Sequence, residues 1–101
     1  VGDTKKQVRQ AFREAVFKRD RNACRVCSAP QPLDAHHITD RTEMPNGGYV
    51  AENGISLCDP CHQKAEASHR GEVPEPGFSP AELYAKIGSS YEKAVLVSKQ
   101  G

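Results

Sequence analysis

Two Cys-x-x-Cys pairs, Cys24 to Cys27 and Cys58 to Cys61, constrain this chain more than anything else in it. A Cys-x-x-Cys turn presents two thiolates to one side of a tetrahedral ion. Two such turns close a four-sulfur site that leaves no position for water or substrate. The expected ion is therefore a structural zinc, tying the chain together across residues 28–57. Iron in an S4 site is the minor metal alternative. Disulfide pairing is the other reading, and it needs an oxidising compartment for which no secretory signal is visible.

Composition explains why such a staple is needed. Of 101 residues only 37% are hydrophobic and none is Trp, and the mean hydropathy is −0.68. That is a thin core for one domain. A structural zinc contributes on the order of 10 kcal/mol to the folding of small modules, enough to compensate. No apolar run approaches the roughly 20 residues of a membrane span. Together with metal-type cysteine spacing, this gives the expectation of a reducing, intracellular, cytoplasmic setting without a membrane partner.

The net charge of +1 is uninformative, but its distribution is not. Residues 1–25 carry eight basic side chains (Lys5, Lys6, Arg9, Arg13, Lys18, Arg19, Arg21, Arg25) against Asp3, Glu14 and Asp20. The remainder is faintly acidic. A basic N-terminal element suits a phosphate backbone, and an ordinary solvated helix face is the equal alternative.

Hydrophobic periodicity predicts a helix from an Asp3 or Thr4 cap to about Arg19, with Val8, Ala11, Phe12, Ala15 and Val16 as one apolar stripe. After the Cys24–Cys27 knuckle, Leu33 to Thr39 reads as a strand, and Asp40 to Gly48 as a polar loop without regular structure. Tyr49 to Ala51 is expected to be extended, and Gly54 to Leu57 to form a second strand. Asp59-Pro60 starts a helix, Asp as N-cap and Pro at the first position, running to about His69 and ended by Gly71. Residues 71–78 read as a linker. Ser79-Pro80-Ala81-Glu82 is a capping box, opening a C-terminal helical extension over 79–101. The fold class is a small zinc-stabilised α+β domain spanning 1–101, with a basic helix over 1–23 and a core over 24–70.

Four sulfurs satisfy zinc, which leaves His36, His37 and His62 surplus beside it. His62 directly follows Cys61, so whatever fixes the cysteine also aims the histidine. At this point the chain resembles a known family. Cys24-x-x-Cys27, Ala35-His36-His37-Ile38, and Asn53-Gly54-Ile55-x-Leu57-Cys58-x-x-Cys61-His62 are similar in order and spacing to HNH endonucleases of the zinc-stapled kind. The resemblance covers about residues 24–69 and implies a ββα-metal core, in which two antiparallel strands and a helix grip one divalent ion. It also implies roles: His37 as general base, His36 and His62 as ligands of a catalytic metal, and Asn53 orienting the base imidazole through its side-chain oxygen or its backbone. Consecutive residues on a regular strand face opposite sides. Either the strand bends at His36-His37, or the two roles are exchanged.

The chemistry suits those residues. Imidazole titrates near neutral pH, where a water must be deprotonated, and a divalent ion supplies charge to the phosphate. Glu66 stands where some relatives place a further His, so about two protein ligands are expected, favouring Mg2+ or Mn2+ over Ni2+ or Zn2+. Glu66 itself reads more readily as an exposed helix residue than as a group behind the ligands. His69 lies about 10 Å along the helix from His62, too far to share an ion, and reads as a helix-end cap. Arg41, Arg9, Arg13 and Lys18 are the residues expected to meet DNA phosphates. The functional expectation is a metal-dependent DNA endonuclease acting on double-stranded DNA with weak sequence specificity and leaving 5′-phosphate and 3′-hydroxyl ends. A non-catalytic zinc-binding nucleic-acid module is the alternative. Monomer and homodimer both remain open. So do nicking against double-strand cutting, and the phage packaging, homing and restriction settings in which small members of the family occur.

Overall fold

The computed structural model of the chain describes residues 5–30 and 32–100. Its order is α1 (Lys5–Arg19), β1 (Leu33–His37), β2 (Gly54–Cys58), α2 (Asp59–Ala65), α3 (Pro80–Lys86) and α4 (Tyr91–Gln100). The two strands form one antiparallel hairpin in which Leu33 pairs with Cys58 and His37 with Gly54. This is the small α+β architecture expected, a helix followed by a hairpin and further helices. The expected Asp3 or Thr4 cap lies outside the described residues. No helix among those residues is long and apolar enough to cross a membrane.

The hairpin lies between two helices. Because side chains alternate along a strand, His37 and its partner Gly54 face α1, while His36 and its partner Ile55 face α2. Every residue of β2 is buried. The contact with α1 is close. A β-carbon at Gly54 would stand 2.5 Å from Val16 Cγ2 and 2.7 Å from Phe12 Cε1. The helix therefore rests on bare backbone, and its buried stripe is narrower than expected: Phe12 and Val16 are buried, whereas Ala11 and Ala15 are exposed. A two-stranded sheet is too narrow to cover a wider face.

The end of α1 is tied to β2 by a buried carboxylate. Asp20 Oδ2 accepts from the Ser56 N–H at 2.9 Å, and Arg19 clasps both Asp20 oxygens at 2.8 Å. Arg19 also donates to the carbonyls of Ala51 and Gly54 at 2.6 and 2.7 Å. A buried charge held by a guanidinium and a backbone donor is tolerated where an isolated one is not.

Several local expectations are corrected. β1 stops at His37 because the next two amides are taken by Asn53: Ile38 N–H donates to its backbone oxygen and Thr39 N–H to its side chain. The polar loop holds a short 3-10 turn at Arg41–Glu43, while Pro45–Gly48 is irregular as expected, with Asn46, Gly47 and Gly48 at positive φ. Ala51–Asn53 is a second such turn rather than extended chain. The N-cap of α2 is Cys58, not Asp59, and its side chain makes no capping bond. Beyond Ala65 the helix tightens to 3-10 over Glu66–Arg70 and ends at Gly71 in the left-handed conformation.

The capping box forms as read, with Ser79 and Glu82 bonded reciprocally. Phe78, Leu83, Tyr84 and Ala94 join the same core as Ile38, Ile55 and Leu57. Phe78, at the end of the segment read as linker, is thus a core residue. Replacing Gly54 with Ala is expected to overpack the α1 contact and destabilise the domain by about 1–3 kcal/mol. Urea denaturation of the zinc-loaded protein measures this, and an unchanged midpoint would refute the close-contact account.

Candidate metal centres and active site

The knuckle after α1 is built by local hydrogen bonds. Cys24 N–H donates to Ala29 O at 2.8 Å and Ser28 N–H to Cys24 O at 2.9 Å, with Ser28 at positive φ. Arg25 N–H donates to Ser56 O, which anchors the knuckle on β2. The sulfurs of Cys24, Cys27, Cys58 and Cys61 then lie within 4.8 Å of one another, with Cys27 and Cys58 3.4 Å apart. A tetrahedral ion with Zn–S bonds of about 2.3 Å needs sulfurs about 3.8 Å apart, so the cluster fits zinc.

Its electrostatics fit too. Burial opposes ionisation of Cys24, but the backbone N–H groups of Cys27, Cys58 and Val26 outweigh it and bring the thiol down to about 6. Cys61 is pushed far up, by burial and by the neighbouring Cys58 and Cys24 sulfurs. A pocket that welcomes one thiolate and opposes the next is completed by a divalent cation.

On the α2 face of the hairpin a second donor set forms from His36, His62 and Glu66, their ligand atoms also within 4.8 Å of one another. Glu66 Oε1 stands 2.9 Å from His62 Nε2 and 3.5 Å from His36 Nδ1. His36 is 2% exposed, and both its ring nitrogens are buried without a hydrogen-bond partner. Buried polar atoms in that condition are costly, and a cation between the three side chains would give one of the two nitrogens a partner. Asp34, two residues before His36 and on the same face, places Oδ2 3.3 Å from His62 Nδ1. That contact fixes the ring so that Nε2 faces the cluster.

Glu66 is therefore not the exposed helix residue expected but a third donor. His69, read as a helix-end cap, stacks on His36 at 4.9 Å between centroids and faces Glu66 Oε2 at 3.4 Å. Seven residues of helix do separate His62 from His69, but Glu66 bridges the gap between them.

His37 lies apart from this donor set. Its ring stacks on Phe12 at 4.4 Å and 19° and meets the edge of Tyr49 at 4.9 Å. Its Nε2 is buried and unpartnered. The strand does not bend. Alternation sends His36 to the donor set and His37 to α1, and both still line one cleft of ≈ 390 Å³ with Ala35, Asp40, Arg41, His62, Glu66 and His69.

The Asn53 side chain is engaged elsewhere than at the His37 ring. Its Oδ1 accepts from Thr39 N–H at 3.0 Å and Tyr84 O–H at 2.7 Å, and its Nδ2 donates to the Thr39 and Gly48 carbonyls at 3.1 and 3.2 Å. Asn53 thus clamps the chain just after His37, while Phe12 and Tyr49 hold the imidazole itself.

Arg41 is exposed on the cleft rim, donating to Tyr49 Oη at 3.1 Å. Arg9, Arg13 and Lys18 are exposed on α1. Arg13 lies over the Phe17 ring and 3.9 Å from Asp34 Oδ1, which brings it to the edge of the donor set. Phe12, Tyr49 and Tyr84 carried no sequence signal of their own. Asp34 did, since residues two apart on a strand share a face.

Burial lowers the His36 imidazole to about 3, helped by His69, His62 and His37 facing it. Burial likewise lowers His37 to about 4, with Arg41 and His69 adding to the effect and Asp40 and Glu66 opposing it. Both values lie below the ordinary 6.5, so the unfolded chain binds protons that the folded chain refuses. The stabilisation is complete above about pH 6.5 and is lost as pH falls through about 4 and then 3. Imidazole nitrogen NMR of the zinc-loaded protein near pH 5.5 should find both rings neutral, and a midpoint near the ordinary value would contradict their burial. Cys24→Ser should lose zinc and the cooperative unfolding transition together, as read by metal analysis and thermal melting.

No curated protein and no solved structure matches the chain at a significant level. Residues 24–68 match the family model described as HNH endonuclease, a span that starts at the first zinc-type cysteine and runs through His36, His37, Asn53, His62 and Glu66. This central segment, which holds both donor sets on one hairpin and one helix, is the part of the chain that is similar to the HNH endonuclease family.

Proposed function

We propose that the chain is a metal-dependent DNA endonuclease that hydrolyses phosphodiester bonds with His37 as general base and leaves 5′-phosphate and 3′-hydroxyl ends. One observation carries the reading. Two consecutive histidines on a regular strand open into one cleft from opposite sides, one within a three-residue donor set and the other, neutral and unpartnered, outside it. This supports His36, with His62 and Glu66, as holding the ion and His37 as the base, without exchange of roles.

When bound, a divalent cation supplies positive charge to the scissile phosphate and the departing 3′-oxygen. The rest falls to the chain. His37 is neutral at physiological pH and lines the cleft, so the ring nitrogen without a hydrogen has a lone pair that can take a proton from the attacking water. The P–O bond to that water forms as the bond to the 3′-oxygen breaks. The incoming phosphodiester anion raises the imidazole from its low resting value, towards the range where a base works best. Phe12 and Tyr49 keep the ring from turning away, and Asn53 fixes the backbone that carries it.

Two imidazoles and a carboxylate make a site better matched to Mn2+, Ni2+ or Zn2+ than to the all-oxygen preference of Mg2+. Of the two ions expected from sequence, Mn2+ is the better fit. Arg41 at the rim and Arg9, Arg13 and Lys18 along α1 serve phosphate contacts, which position a duplex without reading its sequence. Double-stranded DNA bound with weak sequence preference and strong salt dependence is the partner this supports.

Supercoiled plasmid incubated with the zinc-loaded protein and Mn2+ should be nicked or cut. His37→Ala should slow this by a factor on the order of 10² or more while zinc content is retained. Robust cleavage by that variant would remove His37 from the role of base. Tight, salt-sensitive DNA binding with no cleavage under Mg2+, Mn2+, Ni2+ or Zn2+ would instead make the chain a binding module.

A further inference from the structure

The His69 ring has no part in the chemistry above, yet it is held at three points. Its Nε2 lies 3.2 Å from the Ile38 carbonyl oxygen, its Nδ1 3.4 Å from Glu66 Oε2, and its face stacks on His36 at an interplanar angle of 21°. Glu66 is thereby divided between two tasks. Oε1 faces His62 and His36, and Oε2 faces His69. The glutamate side chain is only half-buried, on a turn where the helix has tightened to 3-10. Left alone, such a side chain samples several rotamers, most of which carry Oε1 out of the donor set.

We propose that His69 is a positioning residue for the second metal centre. Its Nδ1 faces Glu66 Oε2 and, as the N–H nitrogen, holds that oxygen so that Oε1 is presented to the ion, while the stack on His36 keeps the ring in place. The inference rests on the reading of His36, His62 and Glu66 as the ion's ligands. Outer partners of this kind orient ligating carboxylates, and losing one lowers metal affinity on the order of 10- to 100-fold. His69 stands just beyond the segment that matches the family model. Its placement depends on the 3-10 turn, since three 3-10 residues complete one turn and bring residues 66 and 69 onto the same side.

A helix-end or packing role is separated from this by His69→Phe, which keeps the ring and its stack on His36 but removes both polar contacts. The readout is calorimetric titration of Mn2+ into the zinc-loaded protein, with zinc content and melting temperature as checks on the fold. The wild type should bind one Mn2+, and His69→Phe should bind it at least about ten-fold more weakly with the melt unchanged. His69→Gln, whose amide can still donate to Glu66, should recover most of the affinity even if the phenylalanine variant melts early. In a Glu66→Ala background, His69→Phe should have no further effect, because the group it positions is gone. Wild-type affinity in His69→Phe, or losses that multiply in the double variant, would overturn the proposal. Failure of the wild type to bind any Mn2+ would overturn the metal-site reading beneath it.

Discussion

Four sulfurs drawn within 4.8 Å of one another are the constraint on which the rest of the domain depends. Two come from the knuckle after α1 and two from the junction of β2 with α2, so the cluster fixes where the hairpin begins and where it ends. Leu33 pairs with Cys58 because both sit at the same end of that closure. The residue after Cys61 is His62, so fastening the sulfur also fixes the first turn of α2 and aims one imidazole at the hairpin. In a chain only 37% hydrophobic, a zinc ion in this cluster would hold the placement by coordination as well as by packing.

The second constraint is the two-residue period of β1. His36 and His37 are adjacent in sequence and cannot share a face, and the fold uses this instead of working against it. One ring enters a polar set with His62, Glu66 and His69, and the other is packed among Phe12 and Tyr49. Burial makes both imidazoles neutral, but with different consequences. For His36 it leaves both ring nitrogens, and for His37 it leaves Nε2, without a hydrogen-bond partner.

A third feature ties the flanking segments to this centre. Phe12 and Tyr84 lie outside the span that matches the HNH family, yet Phe12 supports the His37 ring and Tyr84 completes the hydrogen bonds of Asn53. Asn46 in the loop donates to the Ser98 carbonyl of α4, holding the loop that carries Tyr49. The N-terminal helix and the C-terminal extension are thus structural parts of the site, joined to it by one aromatic stack and one phenol.

Much of this was legible beforehand because it rests on short-range rules. Cysteine spacing determines a closed four-sulfur site, the capping box starts α3, the alternation around His36 and His37 sends them to opposite faces, and the order of motifs carries the resemblance that the family model over 24–68 also finds. What the sequence could not decide were contacts that depend on how elements close on one another. Glu66 and His69 look like ordinary helix residues until a tightened turn brings them against His36. That the Asn53 amide bonds to Thr39, Gly48 and Tyr84 follows from contacts with segments that the motif does not contain. Local propensity and spacing act over a few residues and can be read along the chain. Which buried polar group finds which partner is settled only when distant segments meet, because only then is there a cost to leaving it unpaired.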